Sequence, residues 1–254
     1  MDYFIFDMDG TMFDTENFYY QTWREIAKKN NFSFDLEDKI LLSGRKMDES
    51  ISYMVEKFSM DRQKAVEIRK DLNDLREEKF EKIDYSLKKS GLVELLDYLK
   101  KNNKKLALAS SSEKDRVDFL VDREGVRNYF DLIISSDNIV EGKPNPEIFN
   151  FAMEKLNADK NKTYILEDSL SGIKAAKASG AVAVLIVDLD DRDLIKNEAD
   201  LVFSSLEEFL DFLKNKNNID TRNKDFNLSC PSCKEKFTKS LPTAIFSLND
   251  KDFI

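Results

Sequence analysis

Histidine is absent from all 254 residues. Its absence removes Ser-His-Asp hydrolases, histidine-ligated zinc and imidazole acid–base chemistry, and leaves carboxylates, lysines and hydroxyls as the catalytic groups. Cysteine is nearly absent too. Cys230 and Cys233 are the two that occur, and they cannot form a disulfide framework, so a cytoplasmic protein is expected. No run of Lys and Arg offsets the excess of 49 acidic over 40 basic residues. The resulting net charge of −9 would repel nucleic-acid phosphate and anionic lipid, so neither a nucleic acid nor a membrane is expected as a partner. No apolar stretch is long enough to span a bilayer, and the start, Met1-Asp2-Tyr3-Phe4-Ile5-Phe6-Asp7, lacks the basic segment of a signal peptide. A Gly-x-Gly-x-x-Gly turn is also missing after the first apolar run, which argues against a nicotinamide-dependent dehydrogenase.

The 41% of apolar residues is enough for an ordinary globular core. Short apolar runs at 3–6, 106–109, 132–135, 163–166, 182–187 and 201–203 have the length and β-branched content of buried strands. Helical stripes lie between most of them: Leu92, Leu95, Leu96 and Leu99; Phe149, Ala152, Met153 and Leu156; Leu206, Phe209, Leu210 and Leu213. Asn145-Pro146 reads as a helix start, Ser205 with Glu208 as a capping box, and Gly180 as a helix end. Strands alternating with helices predict an α/β fold with a doubly wound parallel sheet. Residues from about 17 to 85 break the alternation, because they carry helical patterns such as Ala65, Ile68, Leu72 and Leu75 without a strand. The expected organisation is a discontinuous Rossmann-like core of 1–16 and 86–214, an inserted all-helical cap of 17–85 with Trp23 in its core, and a Lys-, Asn- and Asp-rich linker and tail over 215–254.

Four of the expected strands end in unusual residues: Asp7-Met8-Asp9-Gly10-Thr11, Ser110-Ser111-Ser112, Gly142-Lys143-Pro144-Asn145-Pro146 and Glu167-Asp168-Ser169. In order and content these segments resemble the four motifs of the haloacid dehalogenase (HAD) superfamily, in the branch with a helical cap after the first motif. The resemblance covers about residues 1–213. Within it, 107–112 and 166–181 look most like β-phosphoglucomutases and their sugar-phosphatase relatives.

The residues make a physical case alongside that likeness. Carboxylates two apart on an extended segment point the same way, so Asp7 and Asp9 can face one phosphoryl group together. Asp7 is expected as the nucleophile, and Asp9 as the group that protonates the leaving oxygen and then deprotonates water. Several carboxylates facing a dianion need a cation. Mg²⁺ is the fitting one, at Asp7, Asp168 and the Asp9 carbonyl, with Glu167 acting through water. Lys143 supplies a second positive charge. Ser110, Ser111 and the turn-forming Gly10 are the remaining candidates for phosphate binding. Ser112 reads as the N-cap of the helix that carries Val117, Leu120 and Val121.

Asp14 and Thr15 read as turn residues at the entry to the cap. Gly44, Arg45 and Lys46 form the candidate substrate-recognition loop, with a merely solvated loop as the alternative. The likeness also implies two departures from the mutases, since Tyr19 stands where they carry a histidine and Met47 where they carry an arginine. A Mg²⁺-dependent phosphatase acting on a small phosphorylated metabolite is therefore expected. The alternatives are a phosphosugar mutase and a catalytically silent phospho-ligand-binding module. Cys230-Pro231-Ser232-Cys233 resembles half of a zinc ribbon, but a tetrahedral site needs four ligands. Two reduced thiols on a monomer are expected, with a zinc-bridged dimer as the alternative.

Overall fold

A computed structural model of the chain describes residues 1–42 and 47–222. Six parallel strands form one sheet in the order β3-β2-β1-β4-β5-β6: β1 (Tyr3–Phe6), β2 (Lys105–Ala109), β3 (Leu132–Ile134), β4 (Thr163–Glu167), β5 (Val182–Ile186) and β6 (Leu201–Phe203). Each lies within a residue or two of its expected position. Both faces of the sheet are buried, and the side chains sort by the period of two. Phe4, Phe6, Leu106, Leu108, Leu166 and Val184 pack against α5 (Leu92–Lys101), α6 (Lys114–Arg123) and α10 (Leu206–Arg222). Ile5, Ala107, Ala109, Ile165, Ala183 and Leu185 pack against α7 (Glu147–Leu156), α8 (Leu170–Ser179) and α9 (Asp193–Glu198).

Between β1 and α5 come four further described helices, α1 (Thr15–Lys29), α2 (Leu36–Leu42), α3 (Met47–Phe58) and α4 (Arg62–Glu81). They enclose an apolar cluster of their own, built on Trp23, Ile26, Met54, Ala65, Ile68 and Leu72. Trp23 stacks on Phe34 with ring centroids 4.6 Å apart. The chain enters and leaves this unit along one paired track: the Asp14 amide donates to the Leu87 carbonyl at 2.8 Å, and the Lys89 amide to the Met12 carbonyl at 2.9 Å.

Three boundaries differ from expectation. Helix α7 starts at Glu147, so Pro146 takes the N-cap position expected of Asn145, whose side chain accepts the Glu147 amide at 2.9 Å from one residue further out. At α10 the Glu208 carboxylate reaches back to the Ser204 amide at 2.6 Å while Ser205 accepts the Glu208 amide, so the capping box is offset by one residue. Helix α10 also continues to Arg222, past the expected end at 214. Lys216 Nζ reaches the Tyr164 hydroxyl at 3.3 Å, so this residue of the expected linker still packs on the core.

The order reverses at β1. The chain crosses from β1 to β2 and β3 on one side, then jumps to β4 on the other. This reversal opens a crevice at the carboxyl ends of β1 and β4, where a doubly wound sheet binds its ligands.

Candidate active site

Register delivers the carboxylates to that crevice. Phe6 is paired with Leu166, and the Asp7 amide donates to the Leu166 carbonyl at 2.9 Å, so Asp7 and Glu167 leave neighbouring strands side by side. Asp168 follows at once. Among the described residues, Asp7, Glu167 and Asp168 form a buried triad whose carboxylate oxygens lie within 4.8 Å of one another. Lys143, from the loop before α7, is ion-paired with Asp7, and with Glu167 at 2.5 Å.

The remaining oxygen of Glu167, Oε2, accepts from the Asp168 amide, the Ser169 amide and the Ser169 hydroxyl at 3.0–3.1 Å. Asp168 is held by the Thr11 hydroxyl at 3.2 Å. Burial pushes the Asp7 and Asp168 carboxyls well above the usual carboxylate range, and the nearby charge of Glu167 pushes the same way. Burial also disfavours the Lys143 ammonium, yet Asp7 and Glu167 outweigh it and hold the lysine above its ordinary value. Lys143 pairs with two of the three buried carboxylates, and these hard oxygen donors fit a small divalent cation.

Two glycines make room for this packing. A Cβ on Gly10, whose φ is +81°, would fall 2.1 Å from Asp168 Oδ2. One on Gly172, in the first turn of α8, would fall 1.9 Å from the Glu167 carboxyl carbon. The Gly10 amide donates to the Phe13 carbonyl at 2.9 Å, so it serves the turn, and the glycine's other contribution is space for Asp168.

Asp9 has a different environment. Its carboxylate accepts from the Ser112 hydroxyl at 2.8 Å and the Tyr19 hydroxyl at 3.4 Å, and it pairs with Arg116 at 3.3 Å. Ser112 is therefore not a helix cap; Glu113 takes the N-cap position of α6, and the Ser112 side chain turns inward to Asp9. Ser110 is buried, and its hydroxyl oxygen accepts the Ser112 amide at 3.1 Å. Ser111 stands exposed on the cavity wall. The cavity over the triad, of about 1000 Å³, is lined from the core by Asp7, Asp9, Ser110 and Lys143 and from the helical insertion by Tyr19, Arg69 and Arg76.

Sequence reasoning missed Thr11, Arg116, Arg69 and Arg76. Of these, Arg116 had a usable signal, standing one helical turn after Ser112. Met47 is half-exposed and meets Arg69, whose Nε lies 3.4 Å from its sulfur. Gly44, Arg45 and Lys46, and the cysteines Cys230 and Cys233, lie outside the described residues.

Residues 4–187 match the family described as haloacid dehalogenase-like hydrolase. The chain belongs to that family. A phosphorylated carbohydrates phosphatase of Thermotoga maritima is 31% identical over 84% of this chain and 99% of its own length. A fructose-1-phosphate phosphatase of Escherichia coli K12 is 29% identical over 71% of this chain and 93% of its own. The crystal structure of a β-phosphoglucomutase from Clostridium difficile superposes with a TM-score of 0.68 at 26% identity, covering 87% of this chain and 100% of that one. The six-stranded parallel core is that of the HAD hydrolases, and the protein is a phosphoric monoester hydrolase of this superfamily. Among the described residues no helix is long and apolar enough to cross a membrane.

Proposed function

We propose that this HAD hydrolase is a Mg²⁺-dependent phosphatase of small phosphate monoesters, of the sugar-phosphate or nucleotide-like class, with Asp7 as nucleophile. One observation carries the reading: the buried triad of Asp7, Glu167 and Asp168, bridged by Lys143, lies at the floor of a cavity large enough for a phosphorylated metabolite. The named activities of the Thermotoga and Escherichia relatives support the substrate class.

In the first step an Asp7 carboxylate oxygen attacks phosphorus. The bond from phosphorus to the leaving oxygen breaks, and Asp9 delivers a proton to that oxygen. An aspartyl-phosphate on Asp7 remains. Asp9 then takes a proton from a water molecule as that water attacks phosphorus, which releases inorganic phosphate and regenerates the Asp7 carboxylate. Ser112, Tyr19 and Arg116 hold the Asp9 carboxylate in place for both proton transfers. Lys143 balances negative charge at the attacking carboxylate, and the Ser110 hydroxyl is available to the phosphoryl oxygens. Asp7, Asp168 and the Asp9 carbonyl would hold the Mg²⁺, with Glu167 behind them, and the ion would supply positive charge to the phosphoryl oxygens.

Phosphate release from a panel of sugar phosphates and nucleotides tests this directly. Activity is expected to vanish with EDTA and return with Mg²⁺, and undiminished metal-independent turnover would overturn the assignment of Asp168. Bisphosphate-primed conversion of β-glucose 1-phosphate to glucose 6-phosphate would show that a sugar hydroxyl replaces water as the acceptor.

A further inference from the structure

The cavity has a second charged wall that the phosphoryl chemistry does not use. Arg69, Asn73 and Arg76 stand at i, i+4 and i+7 on α4, so they share one face of the helix, and all three line the cavity. Arg69 lies over the Trp23 ring at 5.3 Å, and Arg76 over the Tyr19 ring at 4.5 Å. Among the described residues each guanidinium donates through its Nε. Arg76 Nε donates to the Thr22 hydroxyl at 3.3 Å, and Arg69 Nε to the Met47 sulfur.

The other cations at this cavity are already paired: Lys143 with Asp7 and Glu167, Arg116 with Asp9, and Lys39 with Glu16. Among the described residues no carboxylate pairs with Arg69 or Arg76. Stacking on an aromatic face leaves the in-plane N–H groups pointing outward, which suits a planar fork to an anion. Burial depresses the pKa of both groups, that of Arg76 to about 9 with Arg69 adding to the effect and the charges of Glu16 and Asp9 opposing it.

We propose that Arg69 and Arg76 form an anion subsite in the cavity and that the preferred substrate is a phosphate monoester carrying a second anionic group, a carboxylate or another phosphate. This rests on the phosphatase reading. The scissile phosphate lies at Asp7 and Lys143 on the core, and the second anion lies across the cavity on α4, with the Tyr19 ring between Arg76 and Asp9. Tyr19 connects the two ends, since its face stacks under Arg76 while its hydroxyl reaches Asp9.

Matched pairs that differ by one anion decide the matter: glycerol 3-phosphate against 3-phosphoglycerate, and fructose 1-phosphate against fructose 1,6-bisphosphate. In at least one pair the acidic member is expected to have the higher kcat/KM by about tenfold to a hundredfold, as one or two charge-assisted hydrogen bonds would give, mainly through KM. Arg69→Gln and Arg76→Gln should collapse that ratio toward one, with Arg76→Lys in between because it keeps the charge and loses the fork. Calorimetric binding of the same compounds to Asp7→Asn protein provides a readout independent of turnover. Ready hydrolysis of both members of each pair at equal efficiency, or a preference untouched by either glutamine variant, would overturn the subsite and leave the phosphatase standing. If none of these four compounds is hydrolysed, binding alone decides the subsite. Tighter binding of 3-phosphoglycerate that is lost in Asp7→Asn/Arg76→Gln keeps the subsite, and equal affinities reject it.

Discussion

Replacing Gly172 with alanine sets two physical effects against each other, and the structure predicts which wins. Alanine in a helix ordinarily gains about 0.5–1 kcal/mol over glycine. Here the new methyl would lie 1.9 Å from the carboxyl carbon and Oε1 of Glu167. Carbon atoms pack at about 3.5–4.0 Å, so the carboxylate has to retreat by roughly 1.5–2 Å. Glu167 is a flexible side chain in general, but at this site it is only 1% exposed and is pinned by Lys143, two amides and a hydroxyl. Retreat breaks bonds whose buried partners then stand unpaired, at about 1–3 kcal/mol for each group. Overpacking adds roughly 1–3 kcal/mol unless the neighbours yield. The expected net effect is a destabilisation of about 2–5 kcal/mol, or a fall in Tm of roughly 5–15 °C for a chain of this size. Because Glu167 also anchors Lys143 and the Asp168 amide, kcat should fall by about a hundredfold, as displacements near 1 Å do in active sites. Thermal unfolding followed by circular dichroism and phosphate release measure the two effects. A variant with unchanged or raised Tm and normal kcat would refute the reasoning and show that Glu167 is not held against α8 as described.

Asp7→Asn should retain the fold but lose detectable turnover, since the amide keeps the shape and cannot attack phosphorus; substantial residual phosphate release would mean that water attacks directly. Lys143→Met leaves Asp7 and Glu167 buried without their cation, so a loss of roughly 3–5 kcal/mol is expected in EDTA, with a larger recovery on adding Mg²⁺ than the wild type shows. Equal Mg²⁺ effects on the two melting temperatures would contradict this. Glu124 ties the exit of the helical insertion to α6 by accepting from the Ser86 hydroxyl at 2.7 Å and the Leu87 amide at 3.2 Å, and by pairing with Lys88 and Arg123. Burial alone would raise its carboxyl, but these partners prevail and hold it below the usual range. Its contribution is therefore fully present above the unfolded value of about 4.3 and is lost as pH falls through the lower folded value. Urea unfolding should show Glu124→Gln less stable than wild type by about 1–3 kcal/mol at pH 7, with the gap narrowing below pH ~4; a gap that widens in acid would reverse the assignment.

The strands and the carboxylates gathered at their ends were legible for one physical reason. A strand buried on both faces must be a short, continuous apolar run, and polar residues can appear only where it leaves the sheet, so Asp7, Ser110 and Glu167 announce strand ends as well as chemistry. Side chains that lie on helices were hidden. Arg69, Asn73 and Arg76 are spaced like the solvated face of an amphipathic helix, and nothing in one sequence distinguishes a polar face turned to water from one turned to an internal cavity. Ser112 was read as a cap because serine before a helix usually caps, but tertiary contact with Asp9 outcompeted the local bond. The end of α10 was missed because Lys216 counts as polar by type while it lies over the Phe212 and Tyr164 rings.

Asp7 and Asp9 are held by different parts of the molecule, and on the proposed mechanism this divides the labour between them. Asp7 is fixed entirely from the core, by the Leu166 carbonyl through its amide and by Lys143 through its carboxylate. Asp9 is fixed from both sides, by Ser112 and Arg116 of the core and by Tyr19 of α1. Arg116 in turn stacks over Tyr19 at 4.9 Å and over Phe80 of α4 at 4.8 Å, so the guanidinium that pairs with Asp9 is itself seated on the helical insertion. On that mechanism the attacking carboxylate is placed by sheet register together with Lys143. Proton delivery on that mechanism would draw on two helices of the insertion as well as on the core, because Tyr19 of α1 donates to Asp9 and Phe80 of α4 seats Arg116.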